Sequence, residues 1–267
     1  MTISNRVIKQ ALSTELLNIS QDIQQTAEGD DAVILERAHA AVMQDIGSML
    51  DQAQRGVTAL QLAELLRILV GDSKPGGYSN TWEWTFCQAQ VLNGQQCANA
   101  WLNYITSFGS RDRFILRVLH SADVHNNTFW LRYFLMEYEC SLAGNAAARR
   151  QPGWQIEHFF PGKPGFNPVN AGFSSDLDYS RNFIEQVANK LILDNQLNEA
   201  IKDLDPLVKL PAYLNQAYVN VHMLPQNHSR SAIEIANDLA GVASLDAIRL
   251  YVKLRAVRLA AFAAKRF

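Results

Sequence analysis

Two short stretches of the chain carry residue types that could act together on a phosphodiester. The first ends in Glu157 and His158, after a run that is typical of a β-strand. The second contains Asn189 and Asn198, which lie nine positions apart where a strand would lead into a helix. Because hard divalent cations prefer oxygen ligands, Glu157 and Asn198 are candidate metal ligands. His158 could take a proton from water, and the side-chain carbonyl of Asn189 could hold its imidazole in one tautomer.

These stretches predict a small ββα unit of two short antiparallel strands and a helix. Residues 154–156 and 191–193 are brief apolar runs of the kind that form strands. A helix is predicted over residues 195–201, and either Asp194 or Asn195 could cap its first turn. The side chains named above would then lie on neighbouring elements of one unit.

The segment between the two strands, residues 162–182, shows no periodic pattern. It is rich in Gly, Pro, Asn and Ser, which is the composition of a loop. A loop of this length is uncommon within a compact domain and is often functional. We therefore expect it to contribute to the site.

The rest of the chain is predicted to be mainly α, so that the ββα unit is embedded in a helical domain. Apolar residues recur at helical spacing, with predicted helices at about 2–27, 32–54, 58–70, 95–107, 110–121, 130–142, 229–239 and 244–267. The loop-forming run GDSKPGG at 71–77 predicts a boundary. We divide the chain into a helical N-terminal module, 1–75, for docking or regulation, and a second domain, 76–267, with the ββα core at about 154–203.

Composition predicts a soluble protein of the cytoplasm. The chain has 267 residues, of which 48% are hydrophobic and 19% charged, and this is ordinary for a globular domain. It lacks both an apolar run of the length needed to span a membrane and a signal-peptide pattern. Its three widely spaced cysteines, Cys87, Cys97 and Cys140, argue against a disulfide scaffold or a CxxC zinc site.

The net charge of −2 means that a nucleic-acid site would have to be a local basic patch. The chain end is one candidate, because six basic and no acidic residues follow from Arg249 onward. A solvated helix face that suits the helix dipole is the alternative explanation. The residues that we predict to contact nucleic acid are Arg149, Arg150, Lys163, Lys190, Lys202 and Arg255.

The motif residues resemble a known family. The run IEHFFP at 156–161 resembles the Glu/Asp-His-Ile-x-Pro signature of HNH (ββα-metal) nucleases, in the branch that forms the C-terminal nuclease domain of GmrSD-type restriction enzymes. ANKLIL at 188–193 resembles the Gly-Asn-Leu-x-Leu-Leu segment of that branch, and Leu197-Asn198 resembles its Leu-Asn pair. VKLRAVRL at 252–259 resembles its closing helix. The resemblance covers roughly residues 80–267, in the correct order.

The resemblance implies a metal-dependent endonuclease that hydrolyses DNA, with duplex DNA as its substrate, in restriction or anti-phage defence. Glu157 and Asn198 would hold one Mg²⁺, or Mn²⁺ as a substitute. His158 would be the general base, and Asn189 would orient it. The branch usually carries an N-terminal nucleotide-binding domain, which the helical residues 1–75 replace here. Nucleotide hydrolysis and recognition of modified DNA are therefore not implied.

Three other interpretations stay open. The unit could be a catalytically quiet scaffold that binds a partner protein, with residues 1–75 as the docking element. It could also be an RNase or an RNA-cutting toxin that uses the same metal unit. Finally, the Glu-His pair could be incidental and the asparagines structural.

Overall fold

The computed structural model describes residues 5–51, 115, 118–120, 128–143, 154–215 and 228–266. Its α-helices are α1 (Asn5–Thr26), α2 (Gly29–Asp51), α3 (Thr128–Leu142), α4 (Asn195–Ile201), α5 (Pro206–Leu214), α6 (Arg230–Asp238) and α7 (Leu245–Arg266). Two strands, β1 (Trp154–His158) and β2 (Lys190–Asp194), form one antiparallel sheet. The prediction of a mainly helical fold with one small antiparallel sheet is confirmed.

Some predictions fall outside this part of the chain. The helices predicted at 58–70 and 95–107 and the boundary predicted after residue 75 lie outside the described residues. Of the helix predicted at 110–121, residues 115 and 118–120 are described, and they are helical. Within the described residues, no helix combines the length and the apolarity that a membrane span requires.

Helix α7 is the centre of the described fold. Every residue from Leu250 to Ala264 is buried except Lys253, which is half-buried. A helix that is covered on all sides belongs to the core rather than to the surface. Helices α1 and α2 pack directly against it, and the ring of Phe262 contacts Phe134 and Tyr138 of α3. From Leu250 to Ala264, α7 is therefore neither the basic patch nor the solvated face that its sequence suggests.

Lys253 and Arg258 of α7 form internal ion pairs. Lys253 donates to Asp22 of α1 at 2.7 Å. The buried guanidinium of Arg258 lies 3.2 Å from Asp45 of α2 and 3.2 Å from Glu234 of α6. Each pair joins α7 to a different helix. The N-terminal helices α1 and α2 are thus linked to the last helix by charge as well as by apolar packing.

The ββα unit forms as its sequence predicts. Trp154 pairs with Asp194 at one end of the sheet, and His158 pairs with Lys190 at the other. The carboxylate of Asp194 accepts the main-chain N–H groups of the first turn of α4, which is the predicted cap. Strand β2 packs against α3 and α6, whereas α4 packs on both strands. The sheet is therefore held between the helical core and its own helix.

The long segment between the strands is compact rather than irregular. It contains two 3₁₀ turns, Pro168–Ala171 and Val187–Asn189, and one π-helical turn, Asp178–Phe183. The fully buried ring of Phe160 lies at the centre of this segment. Its centroid is between 5.1 and 6.3 Å from the ring centroids of Phe166, Phe173, Tyr179 and Phe183. The Tyr179 hydroxyl donates to the main-chain oxygen of Pro161 at 2.5 Å. This aromatic cluster follows no helical or strand period, which explains the missing sequence pattern.

One glycine of this segment is required by its backbone geometry. Gly172 has φ of 80°, and a Cβ atom there would overlap Asp246 and lie 2.8 Å from Arg249 Nε. Asp246 cannot move freely because it pairs with Arg249. We expect Gly172→Ala to lower the free energy of unfolding by about 2 kcal/mol, mostly from the left-handed backbone.

Urea denaturation measures this loss, and Gly165→Ala is the matched control because its Cβ would meet nothing within 4 Å. Equal stability of the two variants would contradict the geometry described for Gly172.

Candidate active site of the ββα unit

His158 ends strand β1 with its imidazole partly in solvent. Its side chain is 34% exposed, and Nε2 lies 3.7 Å from Glu185 Oε1. Within the described residues, Nε2 makes no hydrogen bond. The 34% exposure therefore belongs to other atoms of the side chain, since Nε2 itself is buried. An imidazole that solvent can reach can exchange protons with a bound water.

Asn189 does not contact this imidazole in the way that its sequence position predicts. Its buried amide accepts from Phe160 N at 2.8 Å and donates to Phe160 O at 3.1 Å and to Ile184 O at 3.0 Å. Its main-chain oxygen also accepts from Phe159 N at 2.8 Å. The predicted direct contact from Asn189 to His158 therefore needs correction. Asn189 fixes the backbone that follows His158, and it acts on the imidazole only through the chain.

The charged neighbour of His158 is Glu185, which the sequence analysis missed. The Glu185 carboxylate also forms an ion pair with Lys190, whose ammonium is nearly buried. Burial alone would raise the pKa of Glu185, but the nearby imidazole of His158 and the hydrogen-bonded ammonium of Lys190 hold this pKa at about 2. No local pattern marks Glu185, because its partner His158 lies far away in sequence, on the other side of the unpatterned segment.

Glu157 is buried and already has a cationic partner. Lys209 Nζ donates to Glu157 Oε1 at 2.5 Å, to the main-chain oxygen of His158 at 2.6 Å and to that of Lys202 at 3.0 Å. Burial raises the pKa of Glu157 to about 7, although the charge of Lys209 opposes this rise. Burial lowers the pKa of Lys209, and Glu157 opposes that change in turn. One buried ammonium thus joins the end of β1 to the end of α4.

Lys209 was also missed by the sequence analysis, although the sequence contains a signal. Helix α5 reads PLVKLPAYL, so Lys209 is a single charge in a strongly apolar helix. A lysine in this position is buried only when its ammonium has partners.

Asn198 lies on the helix-facing side of β1, as Glu157 does. Its Nδ2 donates to Gln155 Oε1 at 3.0 Å. Gln155 and Glu157 are two residues apart on β1, so their side chains leave the same face with Cα atoms about 6.5 Å apart. Asn198 Oδ1 is buried and makes no hydrogen bond within the described residues. A buried carbonyl without a partner costs about 1–3 kcal/mol, so this atom is suited to accept a ligand.

These oxygens fit a hard divalent cation better than zinc. The described residues contain no group of three or more His, Cys, Asp or Glu side chains that could hold a metal. A cation here would depend on Glu157, on Asn198 Oδ1 and on water, which is a ligand set typical of Mg²⁺. Lys209 competes with such a cation for one oxygen of Glu157.

Two of the predicted nucleic-acid contacts need correction. Lys190 and Arg255 are buried, and Arg255 donates to the main-chain oxygens of Ala188 and Lys190. A guanidinium or ammonium enclosed in this way cannot reach a phosphate. Lys163 and Lys202 are exposed and stay available. Arg149 and Arg150 lie outside the described residues.

Comparisons with models of known protein families, with curated proteins and with solved structures found no match. The resemblance to HNH nucleases therefore remains a hypothesis that depends on the motif residues and their order.

We expect Lys209→Met to destabilise the protein strongly. Removing one partner of a buried ion pair costs about 3–5 kcal/mol, because Glu157 must then either stay charged without compensation or take up a proton. The double variant Lys209→Met/Glu157→Gln should recover part of this loss, since it leaves no unpaired charge. Denaturation at pH 7 measures both, with the exposed Lys202→Met as the matched control. If Lys209→Met were as stable as Lys202→Met, the buried pair would not exist.

We also expect Glu185 to stabilise the protein in a pH-dependent way. Its pKa falls from the ordinary 4.5 to about 2 on folding, so the unfolded state binds more protons between these values. The stabilisation is therefore full above about pH 4.5 and is lost as the pH falls towards 2. It should amount to roughly 1–3 kcal/mol, given the partial exposure of the side chain.

The measurement compares the free energy of unfolding of the wild type and of Glu185→Gln from pH 3 to pH 7. The exposed Glu199→Gln is the control and should show little difference at any pH. A difference for Glu185→Gln that grows as the pH falls would contradict the assigned ion pairs.

Proposed function

We propose that the ββα unit is a metal-dependent endonuclease of the HNH type that hydrolyses DNA phosphodiester bonds. One observation carries the proposal: two stretches far apart in sequence pair in register, and the helix that follows brings Asn198 against β1. His158, Glu157 and Asn198 thereby belong to one small unit. A fold likeness alone does not give a function, so the proposal depends on these side chains.

His158 is the general base in this proposal. Its imidazole ends strand β1 and is partly exposed to solvent. General-base catalysis by a positioned histidine typically contributes 10²–10⁴-fold to a rate, on the order of 3–5 kcal/mol of barrier. Asn189 supports the base indirectly by fixing the chain at Phe159 and Phe160.

Glu157 and Asn198 would hold one Mg²⁺, or Mn²⁺ as a substitute. When bound, such a cation supplies positive charge at the scissile phosphate and at the leaving 3′ oxygen. Lys209 fixes the carboxylate of Glu157 and the carbonyl of His158 through the same ammonium. The spacing between the candidate ligand and the candidate base is therefore set by the protein itself.

Two exposed lysines would contact the nucleic-acid backbone. Lys163 comes shortly after β1 in sequence, and Lys202 comes directly after α4. Both lysines therefore lie near the end of an element of the ββα unit. Cations that contact phosphates hold a nucleic acid in register without reading its sequence. A cytoplasmic role in restriction or anti-phage defence belongs to the same proposal and comes from the family resemblance alone.

One observation favours a second candidate, a catalytically quiet scaffold that binds a partner. The Glu157 carboxylate is 2% exposed and is already paired with Lys209. A site whose carboxylate is neutralised internally needs no metal to be stable. Metal binding measured by calorimetry separates the two candidates, because the quiet scaffold should not bind Mg²⁺ or Mn²⁺ through Glu157.

The nuclease proposal predicts the behaviour of His158→Ala. With supercoiled plasmid and Mg²⁺, we expect the wild type to cut, EDTA to stop cutting, and His158→Ala to be at least about 10²-fold slower. The exposed His120→Ala is the matched control and should cut at the wild-type rate. Single-stranded RNA in parallel reactions tests the RNase alternative.

A fully active His158→Ala variant would show that the base is wrongly assigned. Absence of cutting by the wild type, on DNA and RNA and with Mg²⁺ and Mn²⁺, would favour the quiet scaffold.

A further inference from the structure

A row of three ionisable side chains runs along the face of the sheet opposite to Glu157. His158 and Lys190 lie directly opposite each other on the two strands. The Glu185 carboxylate lies between them, with Oε1 towards His158 Nε2 and Oε2 on Lys190 Nζ. Each oxygen of this carboxylate therefore serves one neighbour.

We infer that Glu185 is a positioning residue that orients the imidazole of His158. The sequence predicts this role for Asn189. The inference rests on the proposed function of His158 as a base. It is independent of whether Glu157 and Asn198 bind a metal.

The backbone holds Glu185 and His158 together through one shared anchor. The amide of Asn189 bonds to Phe160, two residues after His158, and to Ile184, one residue before Glu185. Because one buried side chain binds both segments, the main chain near His158 and the main chain near Glu185 cannot separate without breaking its hydrogen bonds. Glu185 thus lies next to the imidazole itself, whereas Asn189 fixes the main chain on which both side chains stand.

The opposite side of the carboxylate is equally fixed. The Lys190 side chain is nearly buried, so its ammonium has little freedom to leave Glu185. The main-chain oxygen of Lys190 accepts from Arg255 at 2.9 Å, and Arg255 belongs to the buried helix α7. Glu185 therefore presents Oε1 to His158 from a rigid support.

This arrangement selects one nitrogen of the imidazole as the base. A carboxylate next to Nε2 favours the tautomer that carries a proton there, which leaves Nδ1 unprotonated. In the proposed reaction, Nδ1 takes a proton from water while the water oxygen bonds to phosphorus and the bond from phosphorus to the 3′ oxygen breaks. The leaving oxygen takes a proton from solvent. The imidazolium formed at His158 is then balanced by the charge of Glu185.

The distance of 3.7 Å between the two atoms is longer than a hydrogen bond. Contacts between catalytic groups are often long before the substrate binds and shorten in the complex.

The test combines kinetics with the NMR signals of the histidine side chains. Glu185→Gln keeps the shape of the side chain but removes its charge. We expect kcat to fall about 10–100-fold, which is typical for a lost orienting partner, with KM changed less than about 2-fold. In ¹⁵N spectra of side-chain imidazoles, His158 should be the Nε2–H tautomer in the wild type and a mixture of tautomers in Glu185→Gln.

Two further variants sharpen the comparison. Glu185→Asp keeps the carboxylate. Compared with Glu185→Gln, it should have a higher kcat and a larger population of the Nε2–H tautomer of His158. Glu199→Gln makes the same chemical change at an exposed position of α4 and should leave kcat, KM and the His158 spectrum unchanged.

Several outcomes would overturn the inference. One is that His158 in Glu185→Gln shows the same single tautomer as in the wild type. Glu185 would then not act through the imidazole, whatever the value of kcat. Another is a kcat of Glu185→Gln equal to that of the wild type, when the wild type cuts. If the wild type does not cut, the proposed function fails, whereas the spectra still show whether Glu185 selects the tautomer.

Discussion

The arrangement of the ββα unit depends on the buried amide of Asn189. An asparagine amide offers two donor hydrogens and one acceptor oxygen, and all of these roles are filled by main-chain groups of Phe160 and Ile184. Losing any of these partners would leave a buried polar group at a cost of about 1–3 kcal/mol. The amide therefore closes the long segment between the strands into a loop of fixed shape. The end of β1 and the carboxylate of Glu185 take their positions from this closure.

Helix α7 holds this closure in place from the core. The Arg255 guanidinium donates to the main-chain oxygens of Ala188 and Lys190, the two neighbours of Asn189. Ala188 stands where the HNH signature that the sequence resembles has glycine, and it lies in a right-handed 3₁₀ turn that any L residue can adopt. A buried cation is costly unless hydrogen bonds satisfy it, so these carbonyls and Arg255 depend on each other.

The sequence predicts the parts of this unit that local signals encode. The strands, α4 and its cap at Asp194 follow from short apolar runs and one capping residue, and all are confirmed. The partners of the buried charges cannot be predicted from local sequence, because Lys209 and Arg255 bind groups more than 50 residues away in sequence. A basic residue on an amphipathic-looking helix has the same local pattern whether its charge meets water or a buried carbonyl. Surface exposure is the general rule for such residues, and here that rule gave the wrong answer.

The strand geometry restricts how a substrate could use the site. Adjacent side chains of a strand point to opposite faces, and Glu157 and His158 have separate sets of partners accordingly. Gln155, Asn198 and Lys209 lie on the helix side with Glu157, whereas Glu185 and Lys190 lie on the other side with His158. The two faces meet only where β1 ends, immediately after His158. A phosphodiester that is to contact both the base and the candidate metal ligands must therefore approach the open end of the strand rather than either face of the sheet.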